Sequence, residues 1–409
     1  MKILVISESI NIEDSSASKV NVALITNLKK AGFQLKVLHY SHKKILLKDI
    51  ECVLINENKF SILYLLSRLV RIFQREISIN INSNLESLFG FSFTHSNDTN
   101  SIAKAILNEV KYNPNLIITL SKGGSFRPHR AMLKLPKLQK KWLAYVHDPY
   151  PFHFYPRPYN WVEKSYFHKE KFMGLITEKA KYLAFPSLLL KEWMESYFNE
   201  VSKKSLIIPH QIGSDFPFHK LPDFFNENQF TLLHAGNLLK QRNPEFLIKG
   251  FLQFLENNPS AKNESKLFLI GSNNQHKDLL CQFQNHPNII IKDYLEYIIV
   301  QNLEKKVSVN IILEAVSEIS PFLPGKFPNC VKANKPIIIL GPYYSEVKRL
   351  LGNNYNNWSE ANDIRAIEKI ISNLYYEWKN DSEKLKLDRK DLMEYCSVQY
   401  LKGVIESIK

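Results

Sequence analysis

Residues 320–342, SPFLPGKFPNCVKANKPIIILGP, combine a stiff loop, a lysine and a helix start in an order suited to holding a diphosphate. Proline and glycine break the loop at 321–328, with Pro324, Gly325 and Lys326 at its centre. A short helix is expected over 329–333, and Lys335-Pro336 restarts an apolar run, 337–340, that reads as a buried strand. The first N–H groups of a helix have no partner within it and carry a partial positive charge. Lys326 adds a full charge beside them. The segment HAGNLLKQRNPEFLIKGF, 234–251, repeats the order: a strand, Gly236, a cationic loop with Lys240 and Arg242, then a helix from Pro244. Breaking a bond to a diphosphate builds negative charge on the leaving phosphate, and positioned cations and N–H donors lower that barrier. Either segment alone also fits an ordinary loop between a strand and a helix.

Three further loops follow strands. YVHDPYPFHFYPRPYNW, 145–161, puts His147 and Asp148 at a strand's carboxyl end, where open α/β sheets bind ligands. The Pro/aromatic run behind them offers faces for a sugar or a lipid, or else the histidine and aspartate simply hold that loop. In SKGGSFRPHR, 121–130, Gly123 and Gly124 permit close backbone approach, and Ser125 with Arg127 suits an anionic group. The loop after the first strand carries Ser16, Ser18 and Lys19. No GxxxxGK[ST] or GxGxxG spacing occurs, and no clear DxD metal motif.

The elements needed to position these loops are legible. Strands are expected at 2–7, 35–39, 116–119, 142–146, 182–185 and 205–208. A second series is expected at 230–234, 266–270 (ending at Gly271), 289–291, 307–313 and 337–340. Helices fit between them, including 20–30 and 244–257, and the segment 381–409 is helical by pattern. With 409 residues, two domains are the prior, split near 212–225. The 44% hydrophobic and 23% charged composition is that of a globular protein without a membrane span. The opening MKILVISES reads as a strand and not as a signal peptide. Cys52, Cys281, Cys330 and Cys396 form no CxxC pair, which suits free thiols in a reducing cytoplasm. The net charge of +14 suits an anionic partner. No helix-turn-helix, RRM or zinc module points to nucleic acid. Residues 61–78 place Ile62, Leu65, Leu66, Leu69 and Phe73 on one helical face and Arg68, Arg71 and Arg75 on another. A core helix with solvated arginines is the preferred reading, and a helix lying on an anionic membrane is the other.

Segments 320–342, 234–251 and 145–150 resemble the motifs of retaining nucleotide-sugar glycosyltransferases of the GT-B fold, family four in the broad sense. The first is similar to a variant written Pro-Phe-x-Pro-x-Lys, then Lys-Pro. Asn329 stands where the family has its donor-gripping glutamate, and Pro321 where it has another. An asparagine can still bond a ribose hydroxyl, with Glu318 as the candidate for the missing carboxylate. The second is similar to Gly-Arg-Leu…Lys-Gly, whose two cations neutralise the departing diphosphate. Arg242 aligns with the lysine, Asn237 replaces the arginine, and Lys326 is the candidate substitute. His147 matches a histidine near the donor sugar, with Asp148 supporting it or facing the acceptor. The glycine pair of the family's first loop is missing, so Ser18 and Lys19 are read equally as diphosphate or acceptor contacts.

The resemblance implies an α/β chain of two Rossmann-like domains facing across a cleft: 1–215 on the acceptor side, 216–385 binding the donor, and 386–409 as a helix packed back on the first. It implies retaining, metal-independent transfer from a nucleotide sugar, UDP-linked rather than GDP-linked, to a polysaccharide or lipid-linked glycan. No cofactor and no nucleic acid are expected. The expected location is the cytoplasm, with contact at the inner membrane face left open. A non-catalytic nucleotide-binding or scaffold protein of the same fold and an NAD-dependent oxidoreductase are the alternatives; the missing GxGxxG counts against the second.

Overall fold

The computed structural model describes residues 1–77, 81–215, 220–272 and 274–408. Ser78 of the expected amphipathic segment, residues 216–219 of the expected boundary segment and Lys409 of the final segment lie outside the described residues.

The first sheet contains β1 (Lys2–Ser7), β2 (Gln34–His39), β3 (Glu51–Leu54), β4 (Leu116–Leu120), β5 (Trp142–Tyr145), β6 (Tyr182–Phe185) and β7 (Ser205–Ile207). All pair in parallel, in the order β3-β2-β1-β4-β5-β6-β7. A parallel strand covered on both faces must be apolar on both, and the run KILVIS is buried from Ile3 to Ser7. Its alternation serves two cores. Leu4 and Ile6 meet Leu38, Ile102, Ile117 and Met132 on one face. Ile3 and Val5 meet Leu24, Ile25 and Leu28 of the helix Ser16–Lys30 on the other. Ser15 caps that helix by accepting the Ser18 N–H, at 3.1 Å. The helix begins four residues before the expected Val20, because capping residues do not register in an apolar period. The strand β3 was not expected: it is short, half-buried and lies at the sheet edge.

The second sheet contains β8 (Phe230–Ala235), β9 (Ser265–Ile270), β10 (Ile289–Lys292) and β11 (Val309–Leu313). The two-residue β12 (Ile319–Ser320) and β14 (Tyr344–Ser345) pair with each other, while β13 (Ile337–Leu340) and β15 (Trp358–Ser359) complete the second sheet. Its order is β10-β9-β8-β11-β13-β15. The helices Glu245–Asn257 and Ile364–Asp381 cover one face through Phe251, Phe254, Ile367 and Ile371. The expected strand at 307 starts later, at Val309, because the Val307 N–H still closes the preceding helix on Leu303 O, at 2.9 Å.

Contacts divide the chain into two compact units, Met1–Tyr155 with Tyr159–Gly213 and Ser397–Lys409, and Pro156–Pro158 with Ser214–Cys396. Residues 386–396, expected with the final helix, belong instead to the second unit. Asp388 N–H donates to Asn334 Oδ1 (2.9 Å) and Arg389 Nη2 to Leu350 O (2.8 Å). The chain then enters the first unit through the helix Val398–Glu406, whose Leu401 and Ile405 join the core beneath Ser16–Lys30.

The helix Ile62–Ile77 forms, but its apolar stripe does not face a core. Ile62, Leu65, Leu69 and Phe73 are 75, 58, 50 and 53% exposed. Among the described residues of this helix the buried one is Ser67. The preferred core reading of that stripe is therefore wrong: periodicity marks a stripe without saying which way it turns.

Candidate functional site

In both sheets the strand order reverses beside the first strand, between β1 and β4 and between β8 and β11. Open α/β sheets bind ligands at the carboxyl ends of such strands. The second unit's switch point collects residues far apart in sequence. Lys326, at the N-cap of the helix Phe327–Ala333, donates from Nζ to Ile311 O of β11 (2.8 Å) and lies 3.1 Å from Nδ1 of His234 on β8. Nδ1 must accept from that ammonium, whereas it would have to donate to Ile311 O, 3.3 Å away; the ammonium contact is the shorter and leaves the imidazole proton on Nε2. That Nε2 is buried without a partner among the described residues. Burial, reinforced by the Lys326 charge, holds His234 well below the ordinary histidine pKa, so the ring is neutral. Burial also pushes Lys326 from 10.5 down to about 8. A Cβ on Gly236 would lie 3.7 Å from His234 Nε2 and 3.8 Å from Lys326 Nζ, so the Gly236 backbone passes directly over this pair.

Arg242 adds a second cation. Its Nε is buried without a partner among the described residues. Its charge acts on His234, Lys326 and Glu314. Glu314 follows β11; its carboxylate accepts from Ser320 Oγ (2.7 Å) and leaves Oε2 without a partner among the described residues. Burial pushes this carboxyl up to about 7, against the opposing pull of Ser320 and Arg242.

The other sequence-derived candidates divide. Glu318 is exposed, and the carboxylates buried near the cations are Glu314 and Glu304, whose charge acts on Lys326. The loop that folds back through Ser320 turns position 314 inward and leaves 318 in solvent. Asn329 gives its amide N–H to Tyr297 Oη (2.9 Å), leaving its carbonyl as the acceptor for a hydroxyl. Asn237 accepts the Ser272 N–H (3.3 Å) and so ties the loops after β8 and β9 together. Gly271 makes that approach possible: its φ is +135°, and a Cβ there would lie 2.4 Å from Gly236 O. Pro324 accepts the Phe327 N–H at 2.9 Å, so the helix starts at Phe327, two residues before the expected 329. Gly325 at the loop tip and Lys240 are exposed.

In the first unit, Ser125 and Arg127 are not available to an anion as expected. Arg127 donates from Nε to Asp98 (2.9 Å) and from Nη1 to Glu8 (2.5 Å), and Ser125 Oγ donates to Glu8. Two buried carboxylates thus neutralise the single guanidinium. Gly124 is required by Phe152, whose ring would lie 2.4 Å from a Cβ at that position. Ser18 is buried, with its hydroxyl 3.0 Å from that of Ser15, so it serves the helix cap; Lys19 is half-buried in the same turn. His147 is buried 4.5 Å, ring to ring, from Tyr145, and its Nε2 has no partner among the described residues. Burial holds it neutral. Asp148 beside it is half-buried. The aromatic run is largely committed to the protein: Phe154 stacks on Tyr197 at 3.9 Å, and Tyr150 and Tyr159 are buried.

Sequence reasoning missed His234, Glu314 and Glu8. The signal for each was a polar residue at or just past the end of an apolar strand. That pattern marks a strand end facing a site only once the strand order is known.

Two doubly wound parallel units are the architecture of the GT-B fold, which similar solved structures share. Similar solved structures include a glycosyltransferase from Rickettsia africae ESF-5, at 15% identity over 100% of this chain and 97% of that one, TM-score 0.61. HepE of Anabaena, in complex with UDP and glucose, is 12% identical over 99% and 98%, TM-score 0.63. The trehalose-6-phosphate synthase OtsA is 10% identical over 100% and 98%, TM-score 0.66. No family model matches the sequence, and the search of curated proteins found no match.

Proposed function

We propose that this protein is a glycosyltransferase that moves a sugar from a nucleotide sugar, UDP-linked by preference, to a glycan or lipid-linked acceptor. The observation that carries the reading is the convergence of Lys326, Arg242 and the unpartnered His234 Nε2 at one switch point. Two cations and a neutral donor, partly desolvated and already in place, suit a diphosphate whose charge grows as its bond to the sugar breaks. Glu314 and the Asn329 carbonyl supply acceptors for ribose or sugar hydroxyls. In the proposed retaining step, the anomeric carbon–oxygen bond to the diphosphate breaks. The acceptor oxygen bonds the anomeric carbon on the same face, and its proton passes to the departing phosphate oxygen. Lys326 and Arg242 carry the charge stabilisation without a metal. His147 offers a sugar a neutral hydrogen-bonding ring, with Asp148 beside it. The UDP and glucose named with the HepE structure support the choice of donor class.

A non-catalytic nucleotide-binding protein is the second reading, favoured by the commitment of the Asn329 amide to Tyr297. The test is a thermal-shift panel of UDP, GDP, ADP and CMP sugars, followed by product analysis with the best ligand. Stabilisation by UDP species with release of UDP or transfer supports the enzyme. Binding with neither supports the second reading, and binding by none overturns both.

A further inference from the structure

The helix Ile62–Ile77 carries chemistry that the cation cluster does not use. At 100° per residue, Ile62, Leu65, Leu69, Ile72 and Phe73 fall within an arc of about 100°, and all five are at least half exposed. Arg68 and Arg75, both exposed, occupy the adjoining flank. On the opposite side Ser67 is buried, and Arg71 donates to Thr94 (3.2 Å) of the helix Phe93–Asn108, so the helix lies on the protein with its apolar stripe turned away. Phe60, just before the helix, is 99% exposed and follows the exposed Lys59. Leu88 and Phe89, at the end of the helix Ile81–Phe89, are also exposed. The one acid within the stripe, Glu76, lies 4.0 Å from Arg75.

We propose that this stripe and its arginine flank form a docking surface for an anionic lipid bilayer, with the helix lying in the headgroup layer. An apolar face beside a basic flank is the arrangement of interfacial helices: large side chains enter the acyl boundary while arginines reach the phosphates. No helix among the described residues is long and apolar enough to cross a membrane, so this one lies on the surface. Charge selects the occupant. A second copy would bring the same arginines and the same +14 to the contact, whereas an anionic bilayer complements both. The inference stands on this helix alone and does not depend on glycosyl transfer.

The test is flotation of the full chain with vesicles containing phosphatidylglycerol and with pure phosphatidylcholine vesicles, at low and high salt. Binding is expected to the anionic vesicles and to fall with salt. Arg68→Gln/Arg75→Gln should weaken it about twenty-five-fold, at about fivefold per arginine. Leu69→Glu/Phe73→Glu should abolish it, and Leu65→Ser/Ile72→Ser should reduce it at least tenfold. These side chains are exposed, so each variant should keep the parent's melting temperature. No binding to anionic vesicles overturns the proposal, as does equal binding by the parent and the Leu69/Phe73 variant. Self-association of the parent that Leu69→Glu/Phe73→Glu abolishes, without vesicle binding, assigns the stripe to a second copy and also overturns it.

Discussion

Lys326→Met should make the protein more stable and a far worse catalyst. Burial lowers the lysine from 10.5 to about 8. That difference corresponds to about 3 kcal/mol against the charged form in the ligand-free protein. A lysine whose folded pKa is depressed destabilises fully below the folded value, and the penalty disappears as pH rises to the unfolded value. At pH 7 methionine removes that penalty and keeps the side chain's length. It also strips a donor from Ile311 O and His234 Nδ1, which costs about 1–2 kcal/mol. The net gain is about 1–2 kcal/mol, or about 2–8 °C in melting temperature for a unit of this size. Loss of the cation should remove about 2–4 kcal/mol of transition-state stabilisation, a thirty- to thousandfold fall in turnover. Calorimetry at pH 7 and at pH 10, where the difference from the parent should shrink, is paired with initial rates under saturating donor. Near-normal turnover, or a variant less stable at pH 7 than at pH 10 relative to the parent, would refute the assignment of Lys326 as a charge held at a stability cost for the diphosphate.

Four contrasts extend the same logic. Arg242→Ala should leave the melting temperature within about 1–2 °C while cutting turnover at least tenfold. Arg127→Ala should lower stability by about 3 kcal/mol by leaving Glu8 and Asp98 buried without their cation, which urea unfolding would show. Glu314→Gln should stabilise the fold above pH 7 and do little below pH 4.5, since a carboxyl raised from 4.5 to about 7 costs stability progressively between those values, as the unfolded chain ionises and the folded one does not. An inflection in turnover near pH 7 should disappear with it. His147→Ala should lower turnover strongly and leave UDP affinity nearly intact, measured by titration and rate assay on the same sample; equal loss of both would make it a structural histidine.

The strands could be read from the chain because a parallel strand covered on both faces must be continuously apolar, and KILVIS, YLAF and IIIL leave no alternative. Lys326 and Arg242 were legible because a loop dense in proline, glycine and cations before a helix has few structural uses. What period and composition left open was direction. The arginine in SFRPHR looks as exposed as the one in KQRNPE, yet folding gives Arg127 two carboxylates and leaves the Arg242 Nε without a partner among the described residues. Glu314 and Glu318 are four residues apart in one loop, and only the return of Ser320 buries the first. The stripe on Ile62–Ile77 shows the same limit. Apolar spacing is a property of the helix, but whether it meets a core or solvent depends on the side it presents to its neighbours, and only tertiary packing decides that.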